Sequence, residues 1–264
     1  MKTNRLSLLY NIEKIYNENK IGSTDYQLAR YLLENYADIP RLNIYDVAEQ
    51  NHMSRATVRR FCNHLGYANF KEMKSQFKEF EDGQEKYVSF YSGEDFRIVL
   101  QRQINEMIDE LAERMNTSEK KNIVNRLIKA DEVIILASST VASSIRIFQQ
   151  NLAIFGKRIS LIVSEDELKQ LKQYTSKNSL LIVLSISGLL AESLSDEIDK
   201  LEMQKVIFTI KRNPEFNRQY NKIYHLCGQD SHQVNEVLFY TYGITFVLDL
   251  LFKEYLDINQ KRGH

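Results

Sequence analysis

The sequence predicts an all-helical N-terminal domain followed by an α/β domain built on a parallel sheet. Three observations carry that prediction. Helical periodicity runs through the first 80 residues. Within that stretch, two short helices meet around a three-residue turn. From Asp131 onward, short apolar, β-rich runs alternate with helical stretches.

The first helix is predicted by the periodic apolar residues of LSLLYNIEKIY. Gly22-Ser23-Thr24 then precedes DYQLARYLLENY, where Thr24 and Gln27 have capping-box spacing. Pro40 marks a break, after which NIYDVAEQN and SRATVRRFCNHL predict two more helices, with Gly66 as the C′ residue of the second. NFKEMKSQFKEF adds an amphipathic helix and completes a domain over residues 1–80. Residues 81–96, EDGQEKYVSFYSGEDF, have two glycines, mixed charge and no clean period, and read as a linker. The second domain, residues 97–264, opens with a long polar-rich helix from Arg97 to Ala130. VIILA, RISLIV, SLLIVLSI, KVIFTI and the short KIYHL read as its strands. VASSIRIFQQNLAIFG, EDELKQLKQY and LLAESLSDEIDKL read as helices between them, and a long helix through QVNEVLFYTYGITFVLDLLFKEYL comes last. Near-continuous apolar strands separated by helices indicate a parallel sheet covered on both faces.

With 43% apolar and 27% charged residues, the chain can build packed cores and shows no bias towards disorder. No apolar run approaches the ~20 residues that span a bilayer. The opening MKTNRLSLLYNIEKIYNENK carries charges inside its apolar pattern and has no small-residue cleavage site, so it does not read as a signal peptide. A cytoplasmic protein with no membrane partner is expected. Cys62 and Cys227 are each flanked by apolar residues and read as reduced core thiols. Neither has a ligand-spaced partner, so no metal and no cofactor is expected. Net charge is zero, but residues 1–80 hold 12 Lys and Arg against 9 Asp and Glu. That asymmetry has the sign expected of a part that meets phosphates.

The stretch DVAEQNHMSRATVRRFCNHLGY has the form of a helix-turn-helix, with its turn near Asn51–Met53 and Ser54 as a natural N-cap of the second helix. Val58, Phe61 and Leu65 recur at i, i+3 and i+7, a buried stripe that Met53 and Ala48 complete. The opposite face presents Arg55, Ala56, Thr57, Arg59, Arg60 and Asn63. Arginine suits guanine edges and phosphates, and Ser54 at the helix N-terminus suits a phosphate.

Over some thirty residues, NIYDVAEQNHMSRATVRRFCNHLGYANFKEMK resembles the N-terminal domain of the RpiR (MurR/RpiR) family of bacterial transcription regulators. The resemblance rests on Ala48, Ser54, Ala56-Thr57-Val58, Arg60-Phe61-Cys62, Leu65-Gly66 and Phe70. It implies that Ser54, Arg55, Ala56, Thr57, Arg59, Arg60 and Asn63 face double-stranded DNA. His52 stands where the family has its turn glycine; His is among the residues enriched at positive φ, so the turn survives at some strain.

Regulators of this family pair that head with a sugar isomerase (SIS) domain, a five-stranded parallel sheet flanked by helices. The alternation from Asp131 agrees with this. SIS domains carry a signature like S-x-S-G-x-T/S after the third strand, where hydroxyls and N–H groups at a helix N-terminus take a sugar phosphate. Ser185, Ser187 and Gly188 fit it, while Leu190 replaces the last hydroxyl. The family's glycine-rich turn after the first strand is here Ala137-Ser138-Ser139-Thr140-Val141, without glycine. After the second strand, Ser164-Glu165-Asp166-Glu167 puts Glu167 where the family often has His, and a carboxylate there repels an anion. An intact sugar-phosphate site, a less anionic effector, and a pocket kept only in a dimerisation domain all remain open. The resemblance implies effector contacts at Ser138, Ser139, Thr140, Ser185, Ser187, Gly188 and Glu192.

The expected protein is thus a DNA-binding regulator of sugar or amino-sugar metabolism and not an enzyme. It would act as a homodimer or homotetramer on an operator, in response to a small-molecule effector of the sugar-phosphate class. An isomerase is the alternative, with Glu192, His225, His232 and Glu236 as candidate bases. A domain that only oligomerises is the other.

Overall fold

Local capping signals set where the helices of the N-terminal unit start and stop. The computed structural model describes residues 7–75, 88, 91–92, 95–171, 175–228 and 235–262, and the chain divides into two units, 3–94 and 95–264. Most of the stretch read as a linker, residues 81–96, and the second half of the helix predicted over 69–80 lie outside the described residues.

The first unit holds α1 (Ser7–Glu18), α2 (Thr24–Glu34), α3 (Ile44–Gln50), α4 (Arg55–His64) and α5 (Phe70–Ser75). The cap of α2 is Ser23, not Thr24: its Oγ accepts from the N–H of Tyr26 at 3.3 Å. Gln27 donates to the Gly22 carbonyl instead of closing a capping box. Gly66 ends α4 as expected. At φ +90° it donates to Asn63 O, and Tyr67 donates to Cys62 O, the paired bonds of a Schellman motif. The inner faces of the helices share one core, centred on Ile12, Leu28, Val47, Val58, Phe61 and Met73. Each such side chain contributes roughly 1.5–3 kcal/mol by leaving water.

In the second unit the helix predicted from Arg97 to Ala130 is two helices, α6 (Phe96–Arg114) and α7 (Thr117–Lys129). The break is a cap: Asn116 is extended (ψ 170°) and its side chain accepts from the N–H of Glu119 at 3.1 Å. The sheet follows with its crossovers: β1 (Val133–Ala137), α8 (Ala142–Ile154), β2 (Ile159–Ile162), α9 (Glu165–Leu171) and β3 (Leu180–Leu184). LLAESLSDEIDKL forms two short helices, α10 (Leu189–Ser193) and α11 (Ser195–Asp199), before β4 (Gln204–Thr209). A turn of helix the sequence did not announce, α12 (Phe216–Gln219), leads to β5 (Lys222–His225). The last helix is α13 (Glu236–Leu238), a π-helical turn at Phe239–Gly243, and α14 (Ile244–Arg262).

All five strands are parallel, in the order β2-β1-β3-β4-β5. Every residue of the central β1 and β3 is buried, whereas the edge strand β2 is buried only at Ile159 and Ile162. Ile134, Leu136, Leu181, Val183 and Ile207 meet Ala191, Ile198 and Phe216 on one face. On the other, α14 packs against α7 and α8 over Ile135, Ile182 and Phe208. No helix among the described residues is long and apolar enough to cross a membrane.

Strand order reverses at β1: the chain goes outward to β2 and returns to β3 on the other side. Ala137 pairs with Leu184, so the loops that leave β1 and β3 diverge from one point at the carboxyl end of the sheet. In an open α/β sheet that switch point is where ligands bind.

Candidate functional site

Two candidate sites emerge, one in each unit. In the first, α3 starts with a reciprocal capping box, in which the Asn43 side chain accepts from Tyr45 and Asp46 while Asp46 accepts from Asn43. It ends on His52, the sole positive-φ residue besides glycine among those described, at φ +52°. His52 donates to Glu49 O at 3.0 Å and Met53 to Ala48 O at 2.8 Å, a second Schellman motif with histidine in the glycine position. This pair of bonds makes the tight turn. Ser54 then caps α4, accepting from the Thr57 N–H at 3.1 Å, and the two hydroxyls are 2.9 Å apart.

Beyond the turn, α4 is two-sided. Val58, Phe61, Cys62 and Leu65 are buried, while Arg55, Ala56, Arg59, Arg60 and Asn63 are exposed on the other face beside exposed Ser54. Thr57 is half-buried and tied to Ser54, which makes it part of the cap more than of the exposed face. Arg55 lies over the ring of Tyr45, 4.7 Å from its centroid, and Tyr45 itself is 62% exposed. The sequence reading missed Tyr45. An aromatic ring holding a guanidinium at the start of an exposed basic helix restricts that arginine before any partner arrives.

The second candidate is the crevice at the switch point. After β3, Gly188 is left-handed (φ +81°), and a Cβ there would sit 2.8 Å from the Lys211 side chain, so only glycine fits. The buried Ser185 Oγ accepts from the Ala191 N–H at 3.1 Å and so caps α10. Gly188 donates to Ser185 O, Leu189 donates to Ser187 Oγ at 3.4 Å, and Glu192 N donates to Gly188 O. Ser187 also meets Tyr240 of the π-helical turn: its N–H donates to the phenol oxygen at 3.4 Å, and the phenol donates to Ser187 Oγ at 3.2 Å. Leu190 is buried among the apolar side chains beneath the loop.

After β1, Ser138 is buried, Ser139 half-buried and Thr140 exposed; Ser138 Oγ is enclosed without a protein partner. The short turn Ser139–Val141 touches the π-helical turn that bears Tyr240. Ser138–Thr140 and Ser185–Gly188 therefore leave the switch point on either side, and both segments approach the π-helical turn that bears Tyr240. Glu192 is exposed one turn further on and accepts from Asn213 Nδ2 at 2.8 Å. Glu167 is held by the start of its own helix: its carboxylate accepts from Val163 N at 3.0 Å, and Ser164 Oγ accepts from Glu167 N. The expectation that it confronts an anion gives way to a capping role.

Of the remaining titratable candidates, His225 ends β5 with Nδ1 enclosed and unpartnered. Burial, then Arg212 and Arg114, push its pKa down to about 4. Glu236 begins α13, and His232 lies outside the described residues. Both cysteines are buried and neither forms a disulfide, and burial pushes the Cys62 thiol up to about 11. No group of His, Cys, Asp and Glu able to hold a metal occurs among the described residues.

Residues 8–81 match a family described as the helix-turn-helix domain of the rpiR family. No curated protein is detectably similar to the chain. Among solved structures, a Vibrio vulnificus NanR protein complexed with ManNAc-6P is 16% identical, covering 96% of this chain and 93% of that one, with a TM-score of 0.53. The sugar isomerase domain of an RpiR transcription factor from Sphaerobacter thermophilus is 14% identical, over 61% of this chain and 91% of that one, with a TM-score of 0.47. The NanR likeness spans both units and shows the fold.

Proposed function

We propose, from the match of residues 8–81 to the helix-turn-helix domain of the rpiR family, that the chain is a DNA-binding transcriptional regulator and not an enzyme. The observation that carries this reading is the division of α4, with Phe61 and Val58 sealed in the core and Arg55, Arg59, Arg60 and Asn63 in solvent. An arginine-rich exposed face behind a tight turn suits insertion into a major groove, with Ser54 and the helix start against a phosphate. Glu192, the candidate base nearest the crevice loop, gives its carboxylate to Asn213, which favours a structural role over catalysis.

The α/β unit would take a small-molecule effector of the sugar-phosphate class at the crevice between Ser138–Thr140 and Ser185–Gly188, with Glu192 at its rim. Ile147 and Ile154, one heptad apart on α8, and the adjoining Phe155 are exposed. They support pairing of the chain as a homodimer or homotetramer, whose two heads would read half-sites about 34–36 Å apart or a multiple of that. An effector changes DNA affinity only through unequal affinity for the DNA-competent and incompetent arrangements.

Selection from random duplexes should yield a preferred sequence for the full chain. Replacing Arg59 and Arg60 together by alanine should lower affinity for it at least about tenfold and reduce the slope of log K against log salt by about 2, at ~0.9 per lost phosphate contact. Unchanged affinity and slope would reject the interface. For the effector, a thermal-shift series over sugar phosphates beginning with ManNAc-6P, the ligand of the NanR complex, should raise the melting temperature for at least one compound.

A further inference from the structure

Several donors at the end of β3 that could take a phosphate already have acceptors within the protein. Gly188 N, Ala191 N and Glu192 N are bound to Ser185 O, Ser185 Oγ and Gly188 O. Ser187 N–H goes to the phenol oxygen of Tyr240, which returns its own hydrogen to Ser187 Oγ. The contact joins residues 53 apart in sequence, so it is a tertiary device and no accident of the local loop. Tyr240 is delivered by a π-helical turn, Phe239–Gly243. Such insertions within α-helices are rare and redirect a side chain that regular helix would aim elsewhere. That same turn touches Ser139–Val141, the other wall of the crevice.

We propose that Tyr240 is an internal occupant of the anion position in this loop and the residue that determines whether phosphate enters it. The proposal rests on reading the α/β unit as an effector-binding domain. A phenol oxygen both accepts and donates, which suits the N–H and hydroxyl of Ser187. A phosphate oxygen only accepts, so it can enter only where Tyr240 leaves and the Ser187 hydroxyl turns its hydrogen towards the newcomer. Both bonds to Tyr240 are long, so a charge-assisted replacement is stronger once the ring is gone. The native chain therefore discriminates against small phosphate anions, and a phosphorylated effector binds only with enough contacts elsewhere to displace the ring.

Isothermal titration calorimetry of inorganic phosphate into the full-length protein, without DNA, tests this. Tyr240→Ala, which vacates the position, should bind phosphate on the order of tenfold more tightly than the native chain, ~1.4 kcal/mol. Tyr240→Phe, which keeps the ring but frees Ser187, should gain less. Adding Ser187→Ala to Tyr240→Ala, which removes the hydroxyl but keeps the N–H of residue 187, should reduce the gain. The proposal is overturned if the native chain binds phosphate as tightly as the variants. It also fails if variants with native circular dichroism gain nothing, or if Ser187→Ala leaves the gain undiminished. If Tyr240→Ala does not fold, the comparison of Tyr240→Phe with the native chain decides. Operator binding plays no part in this measurement, so failure here leaves the DNA reading standing, and failure of that reading leaves this one standing.

Discussion

Replacing His52 by glycine should stabilise the N-terminal unit. His52 holds φ +52° at the C′ position of α3, where its N–H and that of Met53 close the helix on Glu49 and Ala48. The imidazole is exposed, so its removal opens no cavity in the core. A side chain in the left-handed region costs roughly 1–2 kcal/mol, and histidine sits at the tolerant end of that range. Glycine removes this strain but adds ~0.5–1 kcal/mol of chain entropy to the unfolded state. The net gain should be up to about 0.5 kcal/mol, which for a helical unit of this size raises its transition by up to about 3 °C. Urea unfolding at about 25 °C, followed by far-ultraviolet circular dichroism, reads the change in midpoint directly. His52→Ala is the control, because alanine keeps the strained φ and should give no gain. A loss of stability in His52→Gly, or an equal gain in His52→Ala, would refute the strain argument.

Ser185→Ala should cost ~1–3 kcal/mol in the α/β unit, because it strands the N–H of Ala191 inside the fold; an unchanged urea midpoint would mean that water replaces the cap. The stability of the native chain should fall as pH drops from about 6.5 towards 4. In that window the unfolded chain protonates His225, while burial and the two neighbouring arginines keep it neutral in the fold. His225→Gln should flatten this part of the pH profile, and an unaltered profile would show that other groups govern it. At pH 8 Cys62 should stay unmodified by a disulfide reagent in the native protein and react at once after unfolding, since its thiol is pushed up to about 11; rapid labelling of the folded chain would contradict that.

The parts of this molecule that were legible in the sequence are those governed by short-range chemistry. Ser54 capping α4, Gly66 closing it, the positive φ of His52 and the alternation of five apolar strands with helices all follow from residues within a few positions of one another. The break at Asn116 had the same kind of signal, an Asn three residues before Glu119, but the helical period continuing on both sides obscured it. Likewise the choice between Ser23 and Thr24 turned on a one-residue register of adjacent hydroxyls. The crevice was harder to read. Ser185, Ser187 and Gly188 look like ligand donors in sequence, yet Ser185 caps α10 and Ser187 holds a ring from the far end of the domain. Nothing near Tyr240 in FYTYG announces that role, since the π-helical turn exists through packing across the fold. Tyr45 was hidden for the same reason, its link to Arg55 crossing from one helix to the next.

The position of β1 in the sheet bears on how the chain is made. Val133 pairs with Leu180 on one side and Ile159 on the other, so β1 has no partner until α8 and β2 have been synthesised and lacks its second until β3 follows. The helices of the N-terminal unit depend on neighbours close in sequence, and contacts of that kind form quickly. During translation the head can therefore acquire its fold while the apolar strands of the second unit still wait for one another. That interval, with VIILA and SLLIVLSI unpaired, is when the growing chain is most exposed to aggregation.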